Sequence, residues 1–149
     1  MGRLSALVGF LLVTACGGDS TGPSNANVGG SWLASFSNFS GSGVTCNAIG
    51  ISIQISQSGT TFSGTYTGGT FTCIIPTVGT VVQAGGTGTI INGVVTGNSV
   101  SFDADTPDSH FAGSVAAGGT SMSGTGTDRI DIGGGQTIVL SGSWGAAKQ

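Results

Sequence analysis

The sequence predicts an all-β fold, an antiparallel up-and-down barrel of about eight strands, with a two-sheet β-sandwich as the alternative. Charged residues make up only 6% of the chain, and glycine alone occurs 30 times. With abundant serine, threonine and valine, this composition is typical of strands and tight turns. No stretch of about 12 residues shows a 3.6-residue apolar period free of glycine, so no helix is expected. Short turns between antiparallel strands favour a barrel, because closure leaves no exposed edge. The predicted strands span residues 31–38, 48–57, 61–73, 78–84, 87–95, 99–105, 110–116, 120–128 and 136–145.

Before these strands lies a segment that we do not expect to belong to the fold. Arg3 gives it a positive start, and residues 4–13 are an apolar run too short to span a bilayer as a helix. The run ends in Val13-Thr14-Ala15-Cys16. This resembles the lipobox of bacterial lipoproteins, in which cleavage precedes the cysteine and the cysteine receives acyl chains. The resemblance implies a signal peptide over residues 1–15, and an ordinary secretory signal cut at the same place is the alternative.

The lipobox resemblance also implies where the protein lies. Lipid on Cys16 would anchor it to a membrane of the bacterial envelope. Gly17 follows the cysteine, and in lipoproteins a residue other than aspartate at this position implies the outer membrane. The next residues are small and polar, a flexible composition that spans about 20 Å. We therefore expect a tether over residues 16–29 and a single domain over residues 30–149.

The remaining two cysteines, Cys46 and Cys73, form a pair if Cys16 carries lipid. The isoleucines at 49, 51, 53 and 55 alternate with small or polar residues, which indicates a half-buried strand. If Gly59-Thr60 form a two-residue turn into the next strand, Cys46 lies directly opposite Cys73, on the face away from the isoleucines. We predict a structural disulfide between them.

A five-residue pattern recurs along the predicted strands. A large apolar residue is followed by a small residue, then by glycine, then by serine or threonine, and finally by a residue on the same face as the first. It occurs at residues 62–66, 111–115 and 140–144. Since side chains alternate along a strand, one face carries large residues around a glycine and the other carries hydroxyls. Glycine inside a strand indicates curvature or close approach. The pattern predicts a strongly bent sheet with aromatic rings lying over glycines on its concave side.

Two short motifs resemble the barrels of the lipocalin and avidin type (calycins). Gly30-Ser31-Trp32 is similar to the G-x-W that opens these barrels, and Gly64-Thr65-Tyr66 is similar to a stretch of avidins. The resemblance implies an eight-stranded meander with a ligand cup at one end. Ala34 and Gly68 stand where avidins use asparagine and serine to contact biotin, so we do not expect biotin binding. Lipocalins cap the tryptophan with an arginine of the last strand, and here Arg129 of the preceding strand is the candidate.

The charge balance excludes one class of partner. After residue 15 the chain holds two cations, Arg129 and Lys148, against six aspartates. So weak a positive field argues against nucleic acid, whose phosphates require basic side chains. The expected partners are therefore the membrane, through the acyl chains, and an envelope protein or a small-molecule ligand.

The most polar stretch contains Asp103, Asp105, Asp108 and the single histidine, His110. Asp103 and Asp105 alternate along a strand and would share a face, so the four residues are weak candidates for a Ca²⁺ or transition-metal site. The alternative is a solvated turn with its tip at residues 106–108. No G-x-S-x-G elbow accompanies the histidine. In a separate stretch, residues 127–131 most simply tie Arg129 to neighbouring aspartates at the surface. We expect no enzyme activity, no metal and no cofactor.

Two hypotheses of function follow from the predicted barrel. We favour the first, in which inward side chains fill a solid core and the domain is a non-catalytic structural or protein-interaction module, because eight-stranded barrels are often filled by side chains. In the second, it is a carrier or sensor that holds a small apolar or neutral ligand. A ligand cup requires a cavity above about 300 Å³ with a few polar groups. The volume of the cavity cannot be read from the sequence. The candidate ligand-binding residues are Trp32, Phe36, Tyr66, Phe102, Phe111 and Trp144.

Overall fold

A computed structural model of the protein describes residues 24–133 and 136–149. These residues form nine strands and no helix, which confirms the predicted all-β class. The predicted signal peptide, Cys16 and most of the predicted tether lie outside the described residues. Within the described ranges, no helix is long and apolar enough to cross a membrane. The strands are β1 (Gly30–Gly41), β2 (Val44–Ser58), β3 (Thr61–Ile75), β4 (Gly79–Ala84), β5 (Thr87–Thr96), β6 (Ser99–Ala104), β7 (Thr106–Val115), β8 (Ser121–Gly133) and β9 (Gln136–Lys148).

Eight of the nine strands close an antiparallel barrel, as predicted, and the sandwich alternative is wrong. The order around the ring is β1, β9, β8, β7, β6, β5, β3 and β2, and β2 pairs with β1 to close it. β4 is an additional strand that pairs with Thr70–Ile75 of β3, while Thr61–Thr67 of β3 pair with β5. Together with the adjoining parts of β2 and β3, β4 forms a three-stranded arm beside the barrel.

The hairpin of β2 and β3 has the predicted register. Ser58 pairs with Thr61 across the Gly59-Thr60 turn, and twelve residues further along the same ladder Cys46 pairs with Cys73 and forms a disulfide.

 The predicted face of the cysteines is wrong, however. Cys46 is buried among the interior residues, whereas Ile49 is 65% exposed.

Two glycines explain this reversal. Gly50 in β2 and Gly69 in β3 have left-handed backbones, with φ of 74° and 93°. A left-handed residue breaks the alternation of side chains between the two faces, because it rotates the strand locally about its own axis. Gly69 lies opposite Gly50, and Gly68 beside it also has a left-handed backbone, with φ of 74°. Because both strands are irregular at the same level, the pairing is kept while the faces exchange. The disulfide therefore faces the barrel interior, and Ile49 faces outward.

Inside the barrel, aromatic rings lie over glycines, as the repeated pattern predicts. A Cβ atom on Gly126 would lie 2.3 Å from the Phe111 ring, and one on Gly93 would lie 2.5 Å from the Phe62 ring. Both distances are far below van der Waals contact, so only glycine admits these rings. At these pairs, therefore, an aromatic ring packs directly against the backbone of the glycine.

One end of the barrel is closed by the segment that precedes β1. Val28 of this segment is fully buried, its N–H donates to Gln57 Oε1 at 2.6 Å, and its carbonyl accepts from Trp32 Nε1 at 2.8 Å. Asn25 holds the same segment to the turn between β5 and β6, since its Oδ1 accepts from the Gly97 N–H at 2.7 Å. Residues 24–29, assigned to the tether by sequence, thus lie in the closed end.

A cation covers Trp32 at this closed end, but it is not the predicted one. Lys148 Nζ lies 5.4 Å from the centroid of the Trp32 ring, within the range of a cation–π contact. Arg129 lies towards the other end of the barrel, where its Nε is 3.7 Å from Asp108 Oδ2. The prediction that Arg129 caps Trp32 is therefore wrong.

Candidate functional site

The opposite, open half of the barrel contains a cavity of about 290 Å³, which we call the main chamber. Five of the six predicted ligand-binding residues line it, and Trp32 does not, because it is buried in the closed end. The structure adds Phe71, which precedes Cys73 by two positions and so shares its inward face. The aromatic lining consists of Phe36, Tyr66, Phe71, Phe102, Phe111 and Trp144.

A second cavity of about 170 Å³ adjoins the main chamber, and we call it the disulfide chamber. Cys46 and Cys73 form part of its wall. The two chambers share four lining residues, which mark the boundary between them: Phe36, Phe71, Phe111 and Asp128. A ligand larger than the main chamber would therefore extend past these residues towards the disulfide.

The aromatic wall of the main chamber is a continuous stack. The Phe111 ring stacks on the rings of Phe36 and Phe102, with distances between ring centroids of 5.3 Å and 5.2 Å and an interplanar angle of 16° in each pair. Trp144 meets Phe102 edge to face at 5.4 Å, and its Nε1 donates to the Thr125 carbonyl at 3.1 Å. Because these four rings are held by one another, this part of the wall offers a preformed apolar surface rather than one that a ligand must assemble.

Polar groups converge on the mouth of the main chamber from β3, β5 and the turn between β6 and β7. The Tyr66 hydroxyl donates to Asp105 Oδ2, and the Thr89 N–H donates to Asp105 Oδ1 at 2.7 Å. Burial raises the pKa of Tyr66 above its ordinary value of 10.0, and the hydrogen bond to Asp105 raises it further. The same hydrogen bond lowers the pKa of Asp105, against the opposing effect of partial burial. At neutral pH the pair is therefore a phenol bound to a carboxylate.

Asp128 brings a second carboxylate to the cavity. Its side chain is partly buried, and Ser109 Oγ donates to its Oδ1 at 2.5 Å. The expectation that the aspartates beside Arg129 form surface pairs is wrong for this residue. The signal that could have found it is alternation along β8, because Met122, Gly124 and Gly126 have the same parity as Asp128 and face inward.

The four weak metal candidates are separated by the turn between β6 and β7. Asp103 Oδ1 lies 2.6 Å from His110 Nδ1 on the outer wall, and Asp103 Oδ2 accepts from Asn92 Nδ2 at 2.8 Å. Asp105 has a left-handed backbone, with φ of 58°, so it does not share the face of Asp103 as predicted. Asp108 contacts Arg129 instead. Among the described residues, no three His, Cys, Asp or Glu side chains are placed to hold a metal ion.

The turn itself also differs from the prediction. β7 begins at Thr106, and Ala104 pairs with Thr106, so the chain reverses at Asp105 rather than at residues 106–108.

Burial raises the pKa of Asp103, but the hydrogen bonds from Asn92 and His110 outweigh this effect and leave the pKa below 3.8. Asp103 is therefore an ionised, hydrogen-bonded group on the outside of the barrel.

Comparison with family models, with curated proteins and with solved structures finds no match to this chain. The functional argument consequently starts from the two chambers and from the residues that line them.

Proposed function

We propose that this protein is a lipid-anchored protein of the bacterial envelope whose barrel binds a small, largely apolar molecule in its open half. The observation that carries the proposal is the main chamber, about 290 Å³ in volume and walled by a continuous aromatic stack. Ligand pockets in proteins are concave and mostly apolar, begin at about 300 Å³, and contain a few polar groups. The main chamber and the adjoining disulfide chamber fit this description.

The contrast between the two halves of the barrel supports binding over a purely structural role. The closed end is filled by Val28, Trp32 and Val95, each at most 1% exposed. The open half leaves space between rings that are themselves fixed. Empty apolar space costs stability, because each unfilled volume forfeits contacts that a larger side chain would make. A purely structural barrel has no reason to keep that space, whereas a carrier requires it.

The path of the chain supports an orientation relative to the membrane. Ser24, the first described residue, belongs to the segment that crosses the closed end. Residues 16–23 could span at most about 28 Å when extended. If Cys16 carries lipid, the closed end is held near the bilayer and the open end faces away from it. The chambers would then exchange ligand with the aqueous side of the envelope.

We assign binding rather than catalysis to the chambers because of where the proton-transfer groups lie. His110, the residue type most often used for general acid–base catalysis, lies on the outer wall beside Asp103. It lines neither chamber. The Asp105 carboxylate inside the mouth is already hydrogen-bonded to Tyr66 and Thr89.

Native mass spectrometry of the Cys16→Ser protein, exported in a bacterial host and purified gently, tests this proposal. We expect an adduct of small-molecule mass that is lost on denaturation. Ala34, which lines the main chamber and is 3% exposed, is the position for a blocking variant. Ala34→Leu should abolish the adduct, and Ala112→Leu, the same change on the outer face of β7, should retain it. A bare mass for the unblocked protein would contradict the carrier role.

A second candidate, the protein-interaction module, is favoured by the outer face of the three-stranded arm. Ile49, Ile74 and Val82 lie on this face and are 56 to 65% exposed. β4 pairs with β3 on one side and carries no charged residue or proline, the usual protections of an edge strand. The partner would be an envelope protein that adds a strand to this edge. A photo-crosslinking residue at Val82 should then give a discrete adduct in cells, whereas one at the exposed Val139 should not; equal labelling would contradict this role.

A further inference from the structure

The position of Asp128 points to the chemical class of the ligand. We infer that the chambers bind an organic cation, an ammonium compound with apolar substituents. The inference rests on the proposed ligand-binding function and makes it more specific. Its basis is a carboxylate set among aromatic rings, at the boundary between the two chambers.

The Asp128 carboxylate is held in place and remains open to a ligand. Ser109 is buried, and its Oγ donates to Asp128 Oδ1 at 2.5 Å. Among the described residues, the hydrogen bond that the Asp128 side chain accepts is this one from Ser109. No polar side-chain atom of the described residues is both fully buried and without a partner. Asp128 is half-buried and lines both chambers, so the part of its carboxylate that Ser109 does not contact is available to a ligand there.

The rings around Asp128 suit a cation more than a neutral or negative group. Phe36, Phe71 and Phe111 line both chambers together with Asp128. The face of an aromatic ring carries partial negative charge and attracts ammonium groups, most strongly where water is excluded. Apolar substituents on the nitrogen would contact the same rings. Because Phe36 and Phe102 cover the two faces of Phe111, the ring faces left for a cation are that of Phe71 and the second face of Phe36. Together with the Asp128 carboxylate, these two rings would bind the charge and the apolar part of one molecule.

A neutral apolar ligand would bind here less favourably. It would remove water from Asp128 without replacing the lost hydrogen bonds, which costs free energy because the carboxylate is charged. An anion would in addition be repelled by Asp128 and by Asp105 at the mouth. Asp105 does not compete for the cation to the same degree, since Tyr66 and Thr89 already donate to it.

The charge distribution over the barrel acts in the same direction. Among the described residues, four carboxylates lie towards the open end: Asp103, Asp105, Asp108 and Asp128. One cation, Arg129, lines the main chamber with them, and its Nε lies 3.7 Å from Asp108 Oδ2. The other described cation, Lys148, lies at the closed end over Trp32. A mouth of net negative potential raises the local concentration of cations and their rate of entry.

Three probes of nearly the same shape test the inference by competition with the neutral apolar fluorophore N-phenyl-1-naphthylamine. They are phenyltrimethylammonium, its uncharged isostere tert-butylbenzene, and the anion 2-methyl-2-phenylpropanoate. We expect the cation to bind roughly tenfold more tightly than the isostere, because a desolvated cation–π contact and the carboxylate add to the same apolar contacts. The anion should bind least.

Two variants separate the local role of Asp128 from the general field. Asp128→Asn should remove the preference for the cation and leave the affinity for tert-butylbenzene unchanged or improved. Asp108→Asn removes a charge from the same end of the barrel, but Asp108 lines neither chamber. Its 3.7 Å contact with Arg129 of the main chamber is an exposed ion pair, which contributes little. This control should keep the preference within about a factor of two, as expected for an exposed and screened charge.

The outcomes distinguish failure of the inference from failure of the proposed function. If tert-butylbenzene binds as well as the cation, or if Asp128→Asn keeps the preference, the inference is overturned while the carrier role stands. If neither the fluorophore nor any of the three probes binds, the proposed carrier function itself fails.

Discussion

Replacing Gly126 by alanine tests the packing of aromatic rings over glycines. The new Cβ would lie 2.3 Å from Phe111 Cδ1 and 2.7 Å from Cε1, whereas carbon atoms in contact are separated by about 3.5 to 4.0 Å. Phe111 must therefore move by more than about 1 Å, but it is stacked between Phe36 and Phe102. Overpacking of this kind costs about 1 to 3 kcal/mol, and each aromatic contact that is disturbed adds up to about 1 kcal/mol.

The loss is partly offset because alanine restricts the unfolded chain more than glycine does, a gain of about 0.5 to 1 kcal/mol. We therefore expect Gly126→Ala to lower the free energy of unfolding by about 2 kcal/mol. Gly145→Ala is the matched control, since it lies in the neighbouring strand and its Cβ would have a nearest contact of 3.8 Å, to the Met122 carbonyl oxygen. It should be neutral or slightly stabilising.

Urea denaturation followed by tryptophan fluorescence measures both variants, with an unchanged slope as the check that unfolding remains two-state. Equal free energies of unfolding for Gly126→Ala and Gly145→Ala would refute the packing argument. They would mean that the ring of Phe111 has free space to move into, and that the wall of the main chamber is not fixed.

Three further predictions concern the disulfide, the single tyrosine and the closed end. Replacing Cys46 and Cys73 by alanine should lower the free energy of unfolding by about 3.5 kcal/mol, from the entropy of the loop that the bond closes; a loss below about 1 kcal/mol in denaturation would contradict this. Because the pKa of Tyr66 is raised, its contribution to stability is complete below about pH 10 and is lost as the pH rises further, so the free energy of unfolding should fall above pH 10. Absorbance at alkaline pH reports this group alone, since the chain has one tyrosine, and ionisation near pH 10 in the folded protein would be the opposing result. Gln57→Ala should cost about 1 to 3 kcal/mol, because it leaves a buried N–H of segment 24–29 without its acceptor; unchanged stability and unchanged hydrogen exchange of that segment would argue against its role.

The architecture could be predicted from local signals because each signal acts over a few residues. Glycine, asparagine and proline mark the turns, and alternation marks the strands between them. The Gly59-Thr60 turn alone determines the register of β2 on β3 and so brings Cys46 to Cys73. Local chemistry of this kind is independent of how the barrel closes.

The predictions failed where one backbone angle changes the face of everything that follows. A left-handed Gly50 exchanges the faces of Cys46 and Ile49, and a left-handed Asp105 separates two carboxylates that alternation would place together. Glycine and aspartate both occur in extended strands and in turns, so the residue type does not decide the angle. The errors on the cysteine face and on the metal candidates have this one cause.

The site was predictable only in part. Alternation and size selected the aromatic lining, but the volume between the rings depends on the curvature of the sheet and on which end the N-terminal segment closes. A face rich in glycine is compatible with a hollow barrel and with a filled one. The neighbouring Arg129 predicts a surface position for Asp128, whereas the parity of β8 places Asp128 inside.

The measurement that tests the central claim most directly is a titration of the Cys16→Ser protein with N-phenyl-1-naphthylamine. Trp144 lines the main chamber, so bound fluorophore should quench its emission and saturate at one equivalent. The account predicts saturable binding that Ala34→Leu abolishes and Ala112→Leu retains. Absence of saturable binding, or equal binding by both variants, would contradict the claim that the open half of this barrel is a ligand site.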